Sequence, residues 1–253
     1  MNIKNSKGKP FDKCFIDADS IIYRIALKTD IDLKQAMEYY DKAIEDIEWE
    51  TCSTETKVAL KGTGNFRYGI AEDYKGQRKL KEQEEDPNPE LTERRKELNE
   101  YAYSLGHFKS DNCEADDIVS IWAQEAYDAG EHYVIAHIDK DINGVPGWHY
   151  NFNKKDFYFM DEEAAHKFFC LQLLIGDSTD NIQGLKGIGP KKAEKLLEGV
   201  AHKDLLEVVG NAWREHHPRD WKTKLEVCFN LIYMRRNWDG FRHLTLEEVF
   251  TDE

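Results

Sequence analysis

Nine acids carry most of the chemical potential of this sequence, and they come in groups: Asp17 with Asp19, Glu114 with Asp116 and Asp117, Asp139 with Asp141, and Asp177 with Asp180. Carboxylates drawn from separate stretches repel one another, so packing alone gives no reason to collect them. A hard divalent ion does. Mg²⁺ takes oxygen ligands and keeps several waters, so few carboxylates touch each ion directly. Two such ions about 3.5–4 Å apart can activate a water and stabilise the oxygen that departs from a phosphodiester. Each group also has an ordinary structural use. Asp17 or Asp19 could cap a helix, and acids at 114–117 suit a helix N-terminus through its dipole whatever else they do.

A second chemical stretch begins at the last acids. Residues 173–197 read LLIGDSTDNIQGLKGIGPKKAEKLL. Gly187 and Gly189 permit a tight hairpin, and Pro190 suits the first helical position, where a missing N–H costs nothing. A glycine hairpin that opens a helix leaves N–H groups and the positive dipole end facing outward, a seat for phosphate. Lys191, Lys192 and Lys195 add charge beside it. Residues 72–79, EDYKGQRK, form a weaker third candidate. If helical, they place Lys75, Arg78 and Lys79 on one face, a stripe able to follow a single-strand backbone, with Tyr74 as a stacking surface. Standing alone, such a stripe is more often a solvated face.

The elements around these residues are legible by period. KCFID, residues 13–17, reads as a buried strand ending in acid, and Ile21, Ile22, Ile25 and Ala26 then mark a helical face. Residues 31–52 form an amphipathic helix with Ala36, Tyr40, Ala43 and Ile47 inward, and 57–60 (KVAL) a second strand. Residues 82–90 (EQEEDPNPE) are charged and proline-broken, a connector, and 91–105 are helical again. Glu114, Asp116 and Asp117 open a helix anchored by Ile118, Val119, Ile121 and Trp122, and YVIAHI, residues 133–138, is the clearest buried strand. Residues 156–160 form another short strand, and Asp161 caps the helix after it. Helices follow at 205–209 and 221–234, the latter ending near Arg235 and Arg236, which could meet phosphate or simply solvate a helix end. Strand, acid, loop recurs at Asp17 and Asp139, and ligands of open α/β sheets bind beyond the carboxyl ends of strands.

Composition sets the bounds. With 253 residues the chain holds one large or two modest domains, and 40% apolar with 33% charged residues marks a soluble globular protein. A net charge of −14 argues against a nucleic-acid partner taken as a sum, but bound divalent ions would offset part of the acid. Five cysteines without CxxC spacing indicate neither zinc nor a disulfide framework and fit a reducing cytoplasm. MNIKNSKGKPF lacks the apolar core of a signal peptide, and no run approaches the roughly 20 apolar residues of a membrane span.

GDSTDNIQGLKGIGPKKA resembles the signature of the 5′-nuclease (flap endonuclease-like) family with its helix–hairpin–helix. FIDADSIIYR, DYKGQRK, EADDIV and IDKDI match further family motifs in the family's order, and the size is similar to its stand-alone phage enzymes. The resemblance implies an α/β fold with a mostly parallel, PIN-like sheet over residues 1–165. It adds a helical arch at about 72–105 and a helical helix–hairpin–helix subdomain over 166–253. It implies 5′→3′ exonuclease and flap endonuclease action on DNA without sequence specificity, with a water nucleophile and two Mg²⁺ or Mn²⁺ ions. It implies too a K⁺ among the hairpin carbonyls, and Lys75 and Arg78 on the scissile phosphate. One ion falls to Asp17 and Asp116 with Glu114 nearby, the other to Asp116, Asp139, Asp141, Asp177 and Asp180. The implied partners are duplex DNA with a 5′ end or flap, an RNA·DNA hybrid and replication proteins. The protein would be a monomer in the cytoplasm of a bacterium or phage-infected host. One departure matters: after Leu60 the family places an aspartate, and this chain has Lys61, Gly62 and Thr63. Asp19 is the spare acid within reach. A PIN-type ribonuclease and a DNA-binding protein with a decayed nuclease site remain the alternatives.

Overall fold

The computed structural model describes residues 10–76 and 89–250, without the side chains of 249 and 250. Strands β1 (Lys13–Asp17), β2 (Glu55–Lys61), β3 (Phe108–Ser110), β4 (Tyr133–His137), β5 (Gly147–Asn151) and β6 (Asp156–Met160) form one sheet in the order β3-β2-β1-β4-β5-β6. Every pair is parallel except the antiparallel edge β5–β6. The expected mostly parallel sheet is therefore present. Strand order reverses between β1 and β4, the switch point at which open α/β sheets leave a crevice beyond their carboxyl ends. β3 and β5 escape the sequence reading because one is three residues long and the other mixes Gly147, Trp148 and His149 without alternation.

Side-chain alternation fills both faces of the sheet. Cys14, Ile16, Val58, Leu60, Val134 and Ala136 face a core shared with α1 (Asp19–Ala26), α2 (Leu33–Thr51) and α3 (Pro89–Ser104). Phe15, Ala59, Tyr133 and Ile135 face α4 (Ala115–Asp128). α2 starts on a capping box in which Asp32 accepts from the Gln35 N–H at 2.8 Å. α5 (Glu162–Ile175) starts on Asp161, which accepts from the Ala164 N–H at 2.7 Å, as expected.

A second core gathers α5, α6 (Pro190–Leu196), α7 (Leu205–His216) and α8 (Trp221–Ile232). The boundary expected at residue 165 falls inside α5, and Tyr74, far away in sequence, packs into this second core. Chain order and core membership part company because 66–75 cross back over the C-terminal helices. Two buried arginines clamp the crossing. Arg67 reaches the carbonyls of Leu231 and Tyr233 at 3.0 Å each, and Arg235 donates to the carbonyl of Gly240 at 2.6 Å. Phe66 lies between the two guanidinium groups, 4.6 Å from each. Arg235 is thus fully buried rather than a phosphate contact, and the guanidinium of Arg236 donates to the carbonyl of Gly144.

Candidate active site

The carboxyl ends of β1 and β4 and the start of α4 surround a cavity of about 490 Å³. Asp17, Asp19, Glu114, Asp116 and Asp139 all line it, drawn from three separate stretches of chain. Burial, with Asp19 beside it, raises the Asp17 carboxyl to about 8. Burial raises Asp19 to about 6, against the pull of the Lys61 N–H. Asp116 is raised too, by burial and then by Glu114. Glu114 runs the other way. Burial pushes it up, but Lys75 and Arg67 outweigh that and bring it down to about 2.

The neighbouring acids come from the 3₁₀ turn Lys140–Gly144 and from the turn between the two-residue strands β7 (Gly176–Asp177) and β8 (Ile182–Gln183). Asp141 is raised to about 7 by burial, then by Asp139 and Asp177. Asp177 is lowered: burial opposes this, but the Thr179 N–H and Lys140 prevail. Two ammonium groups thread through the acids. Lys75 pairs with Glu114 and lies 3.3 Å from Asp180, while Lys140 lies 3.7 Å from Asp177 and 4.0 Å from Asp141. Among the described residues no three acids, histidines or cysteines form a ready-made ligand cage. The donor set still fits a hard divalent ion. It is all oxygen, burial and neighbouring carboxylates raise Asp17, Asp116 and Asp141, and two lysine ammoniums lie among the acids.

Two candidates leave the basin. Asp117 is fully buried and both its oxygens are taken by Arg67, at 2.6 and 2.8 Å, with the Arg235 N–H at 3.1 Å. It is a structural anchor, because α4 turns it toward Arg67 while Asp116, one residue earlier, faces the cavity. Tyr74 is 1% exposed, and its hydroxyl donates to Glu114 Oε2 at 2.8 Å. It orients that carboxylate and offers no stacking surface. Lys75 has φ 53°, which no helix tolerates, so the helical stripe through Lys75 fails at its first member. Its N–H donates to the Asp180 carbonyl at 2.9 Å, tying the turn to the acid loop. Arg78 and Lys79 lie outside the described residues.

Asp19 meets the end of β2, where the chain departs from the expected acid. Asp17 pairs with Ala59, so the register brings Lys61 level with residue 19. The Lys61 N–H donates to Asp19 Oδ1 at 2.5 Å, and the Lys61 carbonyl accepts from the Tyr103 hydroxyl at 2.5 Å. Asp19 thus leans across to the strand that lacks an acid. Neither Arg67 nor Tyr103 was found from sequence. Each stands alone in its stretch, and its use depends on partners at least 42 residues away.

At the hairpin Gly187 has φ 80°, as a turn glycine must, whereas Gly189 has φ −102° and serves as the N-cap of α6. Pro190 opens that helix. Lys191, Lys192 and Lys195 are exposed around it, and Lys192 Nζ donates to the Gly187 carbonyl at 2.8 Å. A monovalent ion would have to compete for that oxygen.

Comparison with known proteins follows this geometry. No family model matches the chain. It is 31% identical over 156 residues to the flap endonuclease Xni of Shewanella piezotolerans, covering 56% of this chain and 58% of that one. It is 25% identical over 135 residues to a 5′-3′ exonuclease of Aquifex aeolicus, covering 50% and 47%. DNA polymerase I of Bacillus subtilis is 31% identical over 181 residues, 65% of this chain but 19% of the polymerase. The chain thus spans less than two thirds of each of these relatives. A 5′-exonuclease of bacteriophage T5, solved with zinc, superposes with a TM-score of 0.64 at 18% identity, covering 94% of this chain and 97% of that one. The T5 flap endonuclease solved with DNA and metal ions gives 0.62 at 16% identity, with 95% and 97% covered. In sequence the chain is similar to a flap endonuclease and a 5′-3′ exonuclease over about half its length, and it carries the fold of the T5 enzymes.

Proposed function

We propose that the chain is a divalent-metal-dependent 5′ nuclease that hydrolyses phosphodiesters of DNA at a 5′ end or flap, without sequence specificity. The observation that carries this is the gathering of Asp17, Asp19, Glu114, Asp116 and Asp139 around one cavity, in a chain that also holds a glycine hairpin opening a helix. Relatives named flap endonuclease and 5′-3′ exonuclease support it. When bound, Mg²⁺ or Mn²⁺ would supply an activated water and charge for the departing oxygen. Asp17, Asp19 and Asp116 would hold one ion, and Asp139, Asp141, Asp177 and Asp180, again with Asp116, the other. Lys75, fixed between Glu114 and Asp180, presents an ammonium to the scissile phosphate. The hairpin N–H groups and Lys191, Lys192 and Lys195 seat the duplex by its backbone, which positions without reading bases. The substrate range extends to RNA·DNA hybrids, and the protein works as a monomer in the cytoplasm.

The lysine at the end of β2 favours one rival, a DNA-binding protein with a decayed nuclease site. Purified protein incubated with a 5′-labelled flap, a blunt duplex and single-stranded RNA, with Mg²⁺ or EDTA, decides. Mg²⁺-dependent cleavage of the flap and duplex is expected. Binding without cleavage means the decayed site, and cleavage confined to RNA means a PIN-type ribonuclease.

A further inference from the structure

Behind the Asp139–Asp141 loop lies a polar cluster that the proposed chemistry does not touch. His137 ends β4 and His149 sits in β5, 1% and 0% exposed, in a part of the sheet otherwise filled with apolar side chains. Burying two imidazoles costs free energy unless their nitrogens find partners, and here each nitrogen has a polar atom within 2.9 Å. His137 Nδ1 donates to the carbonyl of Asp139 at 2.6 Å. His149 Nε2 donates to the carbonyl of Val145 at 2.9 Å. That leaves His137 Nε2 and His149 Nδ1 facing each other at 2.8 Å, a contact that becomes a hydrogen bond only when one ring carries a second proton, and the Tyr158 hydroxyl lies 3.2 Å from the same Nε2. Tyr158, from β6, stacks on His149 with centroids 5.1 Å apart, and its hydroxyl donates to Asn143 Oδ1 at 2.6 Å.

Three strands thereby strap one segment, 139–145, at its start, middle and end. The same segment carries two carboxylates of the basin. Asp139 Oδ1 accepts the Asp141 N–H at 2.9 Å, and Asp141 Oδ1 accepts Gln172 Nε2 at 2.7 Å, so the acids are aimed by the backbone that the histidines hold. An apolar pair at 137 and 149 would fill the space and leave the Asp139 and Val145 carbonyls without these donors.

We propose that His137 and His149, with Tyr158, are positioning residues that set how tightly the Asp139–Asp141 side of the basin binds a divalent ion. The inference rests on the metal-dependent reading of the basin. Groups that orient ligands from behind typically govern metal affinity by about 10–100-fold. Mn²⁺ binding by titration calorimetry and amide exchange of residues 139–145 test it in the full chain. His137→Leu should bind Mn²⁺ about tenfold more weakly and exchange faster within that segment. His137→Asn, which keeps a donor near the Nδ1 position, should stay within about threefold of the parent on the same scale. Tyr158→Phe removes only a hydroxyl and guards against a misfolded leucine variant; a smaller loss in the same direction is expected. Parent affinity in both His137→Leu and Tyr158→Phe would overturn the proposal, as would His137→Asn falling as far as His137→Leu. Loss of flap cleavage by the parent defeats the nuclease assignment instead, and leaves the calorimetry and exchange to judge the histidines.

Discussion

The two flanks of the acid basin are built by different means. On the β4 side Asp139 and Asp141, on a loop strapped to the sheet from behind, meet Asp177 and Asp180 from the β7–β8 turn, with Lys140 between Asp141 and Asp177 and Lys75 beside Asp180. On the β2 side the strand brings no acid, and Asp19 leans from α1 to the Lys61 N–H instead. Asp17 and Asp116 stand between. A divalent ion on the β2 flank meets fewer negative oxygens and has the Lys61 ammonium near Asp19, so it should bind more weakly than its partner. Charge count, more than fold, sets the difference.

The largest effects should come from separating neighbours that resemble each other. Asp116→Asn removes a carboxylate that both flanks share, and single-turnover cleavage should fall about 10³-fold or more, since a bound ion's charge is worth several kcal/mol. Asp117→Asn, one residue along, strands the buried Arg67 guanidinium and should cost about 3–5 kcal/mol of stability in urea unfolding. If Asp117→Asn were as stable as the parent, the anchor assignment would be wrong.

Lys61→Asp restores an acid where β2 lacks one. It should tighten the weaker Mn²⁺ site by about tenfold, because affinity follows the ligand charge count. Unchanged calorimetry would mean that residue 61 does not face the ion.

Smaller, but independent of any mutation, is the response to pH. Without metal, Asp17 stands near 8, Asp141 near 7 and Asp19 near 6. Carboxyls of an unfolded chain titrate near 4. Between those limits these carboxyls bind more protons folded than unfolded, so their contribution to stability falls as pH rises. The buried His137 and His149, held near 4 and 3, add an opposite and smaller rise up to about pH 6.5. The melting temperature in EDTA should drop from pH 5 to pH 8. Mg²⁺ should recover more of it at pH 8, where the carboxylates are already ionised. Equal recovery at both values would remove the clustered acids as the cause.

Much of this was legible because period and charge are local. The apolar faces of β1, β4 and α1 and the Gly187–Pro190 turn follow from neighbours a few residues apart. What escaped depends on distant partners. Asp116 and Asp117 look alike in sequence, and only Arg67 on the far side of α4 tells ligand from anchor. Tyr74 offered a ring for stacking until the C-terminal helices closed over it. Asp19 is the instructive case: the acid missing after Leu60 points to it from the sequence, and the β1–β2 register shows how it reaches the end of β2, where it accepts the Lys61 N–H.

Asp19→Ala tests the asymmetry most directly. Parent and variant are compared by Mn²⁺ calorimetry and by flap cleavage. The account predicts two unequal sites in the parent, loss of only the weaker in Asp19→Ala, and cleavage abolished as thoroughly as in Asp17→Ala. Cleavage by Asp19→Ala at the parent rate would contradict it, and would leave Asp19 no more than a tie between α1 and the end of β2.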